Sequence, residues 1–121
     1  MRVFKTKRFS ADAGKAGITD KVLRDAIQEI TLGQASDLGG GVWKKRLNAN
    51  LHRSIILAKG RNYWVYQFLF AKSDQDNITK NELAAFKQLA KLYEKLTTQQ
   101  IQRLLDKNEF MEICNAKKIQ E

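Results

Sequence analysis

The sequence contains no proline, one cysteine and one histidine, and these scarcities narrow what the chain can be. A lone cysteine, Cys114, cannot form a disulfide within the chain, so a reducing cytoplasm is the expected compartment. With His52 as the single histidine and no acidic cluster in the most basic region, a metal site of the usual type has too few ligands. We therefore predict neither a metal nor another cofactor.

Long apolar runs are also missing. The longest apolar region, residues 63 to 71, is interrupted by Gln67 and is too short to cross a bilayer as a helix. No apolar stretch follows the basic residues at the start, so we expect no secretory signal. The sequence predicts a protein without a membrane partner.

Glycine is concentrated in one run, Gly39-Gly40-Gly41, but the signature of a phosphate-binding loop is absent. No Lys-Ser or Lys-Thr pair follows the run, and its surroundings do not have the strand-turn-helix pattern that such a loop requires. We interpret the run as a flexible turn before a strand.

Acidic residues are absent between Asp37 and Asp74. The same window is rich in aromatic residues, and it holds these basic ones: Lys44, Lys45, Arg46, Arg53, Lys59, Arg61 and Lys72. Positive charge beside aromatic faces is typical of a surface that binds a polyanion. The formal charge of the whole chain is +9, with the excess in its first half, which favours a nucleic acid or an acidic partner.

The length of 121 residues and a hydrophobic content of 43% suit one domain, which we expect to span residues 1 to 121. Apolar residues at helical spacing predict a short helix over residues 9 to 16 and a longer one from Thr19 to a cap at Gly33. Capping boxes at Thr79 and Thr97 predict two more helices, the first of them continuing to about residue 96.

The middle of the chain predicts β-structure instead. Aliphatic, β-branched and aromatic runs indicate strands at residues 42 to 47, 53 to 58 and 62 to 71, with a hairpin turn at residues 59 to 61. Residues 110 to 114 indicate a final short strand. The expected fold is α+β, with a small antiparallel sheet of three to five strands packed against N-terminal and C-terminal helices.

The third run is apolar on both faces and is the expected central strand. Strict alternation would place Trp64, Tyr66, Phe68 and Phe70 on one face. Tyr66 could supply a phenolic donor or stack on a base, but its position on this aromatic face favours core packing.

The basic residues suggest a chemistry that needs no metal. RNA cleavage requires a group that takes the proton of the 2′-hydroxyl, positive charge on the phosphate and a donor to the leaving 5′-oxygen. A lysine among other cations can be the base, and arginine grips phosphate through two donors. If the first two strands pair, Lys44, Arg46 and Arg53 can converge on one phosphate, while Lys45 faces the other side. From the residues alone, catalysis, binding without cleavage and a solvated basic rim all remain open.

Other residues are candidates for contact with RNA. His52 could be a general base or a surface or capping residue, and Trp43 could stack on a base. The full set of contact candidates is Trp43, Lys45, His52, Lys59, Arg61 and Lys72.

Several blocks of the sequence closely resemble a bacterial branch of the RelE-like toxins, within the RelE/ParE superfamily. They are the start Met-Arg-Val-Phe-Lys-Thr-Lys, the Asp-Leu-Gly-Gly-Gly-Val-x-Lys-Lys-Arg of residues 37 to 46, the Phe-Ala-Lys-x-x-x-Asp-Asn-Ile of residues 70 to 78 and the Glu-Leu-Ala of residues 82 to 84. The resemblance covers nearly the full length. It implies the toxin of a type II toxin-antitoxin pair, a small antiparallel sheet packed on helices, and relatives that cut mRNA in the ribosomal decoding site.

The resemblance also implies site residues. Arg53 looks like the strand-starting arginine of the RelE catalytic set, and residues 44 to 46 occupy the stretch where its lysines fall. Lys72 resembles the lysine at the end of the following strand. Two positions depart from the pattern, because Ser73 stands where a second arginine is expected and Thr79 about where a tyrosine would be.

The sequence and the resemblance together predict a metal-independent mRNA endoribonuclease that acts on translated mRNA at the ribosome and inhibits translation. The candidate catalytic residues are Lys44, Arg46 and Arg53. The expected partners are mRNA, the ribosome and a cognate antitoxin from the neighbouring reading frame. The alternative is a nucleic-acid-binding protein without nuclease activity or a ParE-like inhibitor of DNA gyrase.

Overall fold

The structure, a computed structural model, describes residues 1–59 and 63–115, which have an α+β fold. Within these ranges the elements are, in chain order, β1 (Arg2–Thr6), α1 (Lys7–Lys15), α2 (Asp20–Thr31), β2 (Ser36–Gly39), β3 (Val42–Leu47), β4 (His52–Lys59), β5 (Tyr63–Ala71), α3 (Lys80–Glu94), α4 (Thr98–Asp106) and β6 (Phe110–Asn115). The predicted fold class is confirmed. Of the predicted hairpin turn, only Lys59 lies in the described residues, as the last residue of β4.

The strands form one sheet in the order β2-β3-β4-β5-β1-β6. All neighbours are antiparallel except β1 and β5, which pair in parallel. β5 lies inside the sheet, as predicted. The sequence analysis did not predict β1 and β2, because each is short and has few apolar residues. The sheet therefore has six strands in the described part, where the sequence predicted three to five.

A β-bulge corrects the predicted alternation of β5. Ile55 of β4 pairs with Phe68 while the next residue, Ile56, pairs with Tyr66, so Gln67 is an extra residue in β5. An extra residue moves the side chains beyond it to the opposite face. The aromatic row is consequently divided, since Tyr66 packs with α1 and α2 whereas Phe68 packs with α3.

Helices cover both faces of the sheet. On the α2 face, named here for its longer helix, residues of α1 and α2 such as Phe9, Leu23 and Ile27 enclose Tyr66. On the α3 face, Ala90 of α3 packs on Val42, Ile55, Leu57 and Phe70, and α4 packs farther along the same face. The two faces give the basic residues of β3 and β4 two different environments.

The helix ends follow the sequence signals. Thr6 and Thr19 cap α1 and α2 through their hydroxyl groups, and both predicted capping boxes are present, at Thr79 and Thr97. Gly33 has a φ of +87° and follows the end of α2, as the predicted C-terminal cap requires. Among the described residues, no helix combines the length and the apolar character needed to cross a membrane.

Two tight turns shape the β2-β3-β4 segment. Gly39, Gly40 and Gly41 all have positive φ, and a Cβ on Gly41 would lie 3.0 Å from the carbonyl oxygen of Ala58. The interpretation of this run as a turn before a strand is confirmed, and only glycine fits it without strain. The β3-β4 turn also has positive φ at residues 48 to 50, although there the central residue is Ala49.

Candidate functional site

The pairing of β3 with β4 brings three basic side chains together. Arg46 lies directly opposite Arg53 in the antiparallel register, and Lys44 is two residues before Arg46. Residues two apart on a strand and residues directly opposite each other point to the same face. Lys44, Arg46 and Arg53 therefore share the α3 face, at the end of the sheet where β5 finishes.

These side chains border a groove of about 460 Å³ where β3 extends beyond its pairing with β2, called here the cationic groove. Its lining residues are Gln34, Ala35, Ser36, Lys44, Lys45, Arg46, Arg53 and Asp76. One carboxylate thus faces the three cations of the α3 face. The groove suits a phosphate, since the positive charge exceeds what Asp76 can neutralise.

Arg53 is the fixed member of the set. It is only 7% exposed, and one terminal nitrogen of its guanidinium donates to the carbonyl oxygens of Asn50, at 2.9 Å, and His52, at 3.1 Å. Two backbone acceptors, one in the β3-β4 turn and one at the start of β4, thereby hold the guanidinium in place. Since these bonds use one nitrogen, the other donors of the fork can meet a phosphate.

Lys44 is oriented by a residue from another part of the chain. Its ammonium donates to Oδ1 of Asn77 at 3.2 Å, and the same oxygen accepts from the backbone N–H of Ile78 at 2.9 Å. Asn77 is in turn next to Asp76, the acidic residue of the groove. Sequence reasoning missed both as site residues; their position just after β5 was the available signal, because that end of β5 meets the start of β4.

Arg46 is exposed, in contrast to Arg53. Within the described residues, no carboxylate oxygen lies within 4 Å of its guanidinium. Its head group is therefore available to a ligand in the groove.

Lys45 points to the other side of the sheet, as predicted. Its ammonium lies 3.4 Å from Oε1 of Glu29 on α2, and its side chain is only 11% exposed. Although Lys45 contributes to the wall of the cationic groove, its charge is directed towards α2. The structure separates Lys45 from the cations that it neighbours in the sequence.

His52 and Trp43 also lie on the α2 face. His52 borders a second groove with Asp12 and Lys15, and its Nδ1 lies 3.2 Å from the side-chain nitrogen of Asn48. Trp43 is half-buried and its ring meets the ring of Trp64 edge-on, at 5.9 Å between centroids. Neither side chain is placed with Lys44, Arg46 and Arg53.

Of the remaining predicted contact residues, the structure describes the side chain of Lys72. Lys72 is exposed just after the strand, and its backbone N–H donates to the carbonyl oxygen of Leu51 at 2.9 Å. Arg61 is outside the described residues, as is the side chain of Lys59.

All three tyrosines of the chain serve the fold. Tyr66 donates to the carbonyl oxygen of Leu23 at 2.7 Å, Tyr63 to that of Tyr93 at 2.8 Å, and Tyr93 to Oε1 of Gln67 at 2.7 Å. Burial raises the pKa of Tyr63 and of Tyr93 to about 12 each, and that of Tyr66 further. No tyrosine lines the cationic groove.

Thr79, at the position where the resemblance leads one to expect a tyrosine, has a structural role. Its hydroxyl accepts from the backbone N–H of Glu82 at 3.0 Å and caps α3. Within residues 1–59 and 63–115, no group of three or more His, Cys, Asp or Glu side chains is arranged to hold a metal ion.

Comparison with known families gives one finding. A family model described as the RelE toxin of the RelE/RelB toxin-antitoxin system matches residues 1–113. Searches of curated proteins and of solved structures found no match.

Proposed function

Because this chain belongs to the family of RelE toxins of RelE/RelB toxin-antitoxin systems, we propose that it is a metal-independent endoribonuclease acting on translated mRNA at the ribosome. Family membership makes the chain the toxin of such a system and gives it an antitoxin as partner. The nuclease activity and the substrate are the proposal.

One observation carries the proposal. Lys44, Arg46 and Arg53 converge on one groove, and within the described residues none of them has a carboxylate oxygen within 4 Å. Three such cations on one groove give it a positive potential that attracts a negatively charged ligand. A phosphodiester supplies it, and RNA also brings its own nucleophile, the 2′-hydroxyl.

The proposed reaction is an attack within the RNA strand. The 2′-oxygen loses its proton and bonds to phosphorus, the bond from phosphorus to the 5′-oxygen breaks, and a proton passes to that oxygen. The products are a 2′,3′-cyclic phosphate and a 5′-hydroxyl. In this scheme Arg53 and Arg46 hold the phosphate and stabilise the charge that builds up on it.

Two side chains of the groove can take the proton of the 2′-hydroxyl. One is Lys44, held by Asn77, and the other is Asp76. Replacing each by a neutral analogue, Lys44→Gln and Asp76→Asn, assigns the role. The base is the residue whose loss slows cleavage by about 10²-fold or more while RNA binding is retained.

The ribosome has a physical place in this scheme. The hydroxyl groups of the three tyrosines are bonded within the fold, and Trp43 packs on Trp64. The groove therefore offers side chains that bind phosphate but no aromatic ring on which an RNA base can stack. An mRNA strand held in the ribosome arrives already oriented.

The test is a reconstituted translation reaction on a defined mRNA, with cleavage read by primer extension, and the same RNA without ribosomes. We expect cuts with the wild type and ribosomes, and none with Lys44→Gln/Arg46→Gln. The matched control is Lys21→Gln/Arg24→Gln, which removes the same charge from exposed positions of α2.

Cleavage by Lys44→Gln/Arg46→Gln at the wild-type rate would refute the proposal. Growth arrest with intact RNA and an induced DNA-damage response would favour the gyrase alternative instead.

A further inference from the structure

A row of three lysines lies on α3, outside the acid-free window. Lys80, Lys87 and Lys91 are seven and four residues apart, a spacing that places them on one side of a helix. Within the described residues, no carboxylate oxygen lies within 4 Å of any of the three ammonium groups. The row is thus a second set of cations without counter-ions.

The triglycine turn positions the middle lysine. The Cγ of Lys87 lies 3.0 Å from the place that a Cβ on Gly40 would occupy, and its Nζ lies 3.6 Å from that of Gly39. The lysine stem therefore rests on backbone that a side chain would obstruct. Packing on the turn restricts the rotamers of this stem, so less side-chain entropy is lost when the ammonium binds a ligand.

The row is continuous with the cationic groove. Lys80 begins α3 three residues after Asn77, which holds Lys44. The triglycine turn leads directly into β3, where Lys44 follows Gly41 by three residues, or about 10 Å of strand. From Lys80 to Lys91 the helix extends this line of charge by about 16 Å.

We propose that the RNA strand held in the cationic groove continues along α3, with backbone phosphates at Lys80, Lys87 and Lys91. This inference depends on the proposed function in taking RNA as the ligand, but it concerns binding and not cleavage. It adds contact residues that lie beyond the basic window of the sequence.

The test measures binding of a 2′-O-methyl RNA oligonucleotide of about 20 nucleotides, which lacks the 2′-hydroxyl and cannot be cut. Fluorescence anisotropy gives the dissociation constant as a function of salt concentration. Each phosphate contact to a single strand contributes about 0.7 to the slope of log K against log salt. Lys80→Gln/Lys87→Gln/Lys91→Gln is expected to lower the slope by about 2.

The matched control is Lys7→Gln/Lys21→Gln/Lys107→Gln, which removes the same charge from exposed lysines outside the row. We expect it to leave the slope unchanged. A single Lys87→Met variant keeps an apolar stem on the glycine turn and removes only the charge, so it should lower the slope by about 0.7 without changing Tm.

Three results would overturn the inference. The first is an equal loss of slope in the two triple variants, and the second is wild-type binding that does not depend on salt. The third is a Lys80→Gln/Lys87→Gln/Lys91→Gln variant that keeps the wild-type slope but no longer binds the antitoxin. If the wild type binds the oligonucleotide but leaves ordinary mRNA uncut, the proposed nuclease activity is refuted, while the proposed contact between the lysine row and RNA is not.

Discussion

Basic side chains have different surroundings on the two faces of the β3-β4 hairpin. On the α3 face, Arg46 and Arg53 border the cationic groove with no carboxylate oxygen within 4 Å in the described part of the chain. On the α2 face, Lys45 is nearly buried and lies 3.4 Å from Glu29. Residues that are adjacent in the sequence therefore have different environments, and the count of basic residues in the window overstates the charge available to a ligand.

The two faces have different roles. The α2 face holds the hairpin in place, through the Lys45–Glu29 pair and the buried Tyr66, and the α3 face presents the cations. Substitutions on the α2 face should change stability, whereas substitutions on the α3 face should change activity.

The largest expected effect is that of Arg46→Gln. Removing one donor to the charge that develops in the transition state costs about 10²- to 10³-fold in rate. Because Arg46 is exposed and has no partner in the described residues, the free energy of unfolding should stay within about 0.5 kcal/mol of the wild type. Single-turnover cleavage and thermal unfolding measure the two quantities. Cleavage by this variant at the wild-type rate would show that the cations of the α3 face are not needed for activity.

Tyr66→Phe should give the reverse result. The variant loses the buried hydrogen bond from Tyr66 to the carbonyl oxygen of Leu23, at a cost of about 1 kcal/mol. Denaturant unfolding should show this loss while the cleavage rate per folded molecule is unchanged. A fall in rate with unaltered stability would contradict the assignment of this face to the fold.

Ala49→Gly tests the turn that joins β3 to β4. Ala49 has a φ of +52°, which costs an L-residue free energy that glycine does not lose. We expect stabilisation by about 0.5–1 kcal/mol, measured as a shift of the denaturation midpoint at constant m-value. The cleavage rate serves as the control, and a destabilised variant would show that the turn is not strained.

The smallest effect should be that of Lys45→Gln, next to Arg46 in the sequence. Its charge is directed to Glu29, so cleavage should stay within about threefold of the wild type and stability should fall by about 0.5 kcal/mol. Lys45→Gln and Arg46→Gln change adjacent residues on opposite faces, so together they test the difference between the faces most directly. Equal losses of activity in Lys45→Gln and Arg46→Gln would mean that both faces meet the RNA.

Much of the fold follows from local signals in the sequence. The capping boxes at Thr79 and Thr97 and the glycine cap of α2 are contained within a few residues, so they could be predicted. β1 could not, because its partners are β5 and β6, far along the chain. The division of the β5 aromatic row depends on Gln67, which nothing in a period-two pattern marks as a bulge.

For the candidate site, the faces of the basic side chains could be predicted from the sequence, whereas their surroundings could not. Alternation within β3 separated Lys44 and Arg46 from Lys45, and the structure has that arrangement. The burial of Arg53, the bond from Lys44 to Asn77 and the presence of Asp76 depend on how the ends of β4 and β5 meet. Such contacts between distant segments carry no local signal.

The position of β1 has a consequence for how the protein folds. Arg2 pairs with Tyr63 on one side and with Asn115 on the other, so β1 gains both of its neighbours only when β6 is also in place. Pairings between such distant residues slow folding, since the long intervening chain must first be closed into loops. We therefore expect the six described strands to join into one sheet late in folding, once β6 is available to pair with β1.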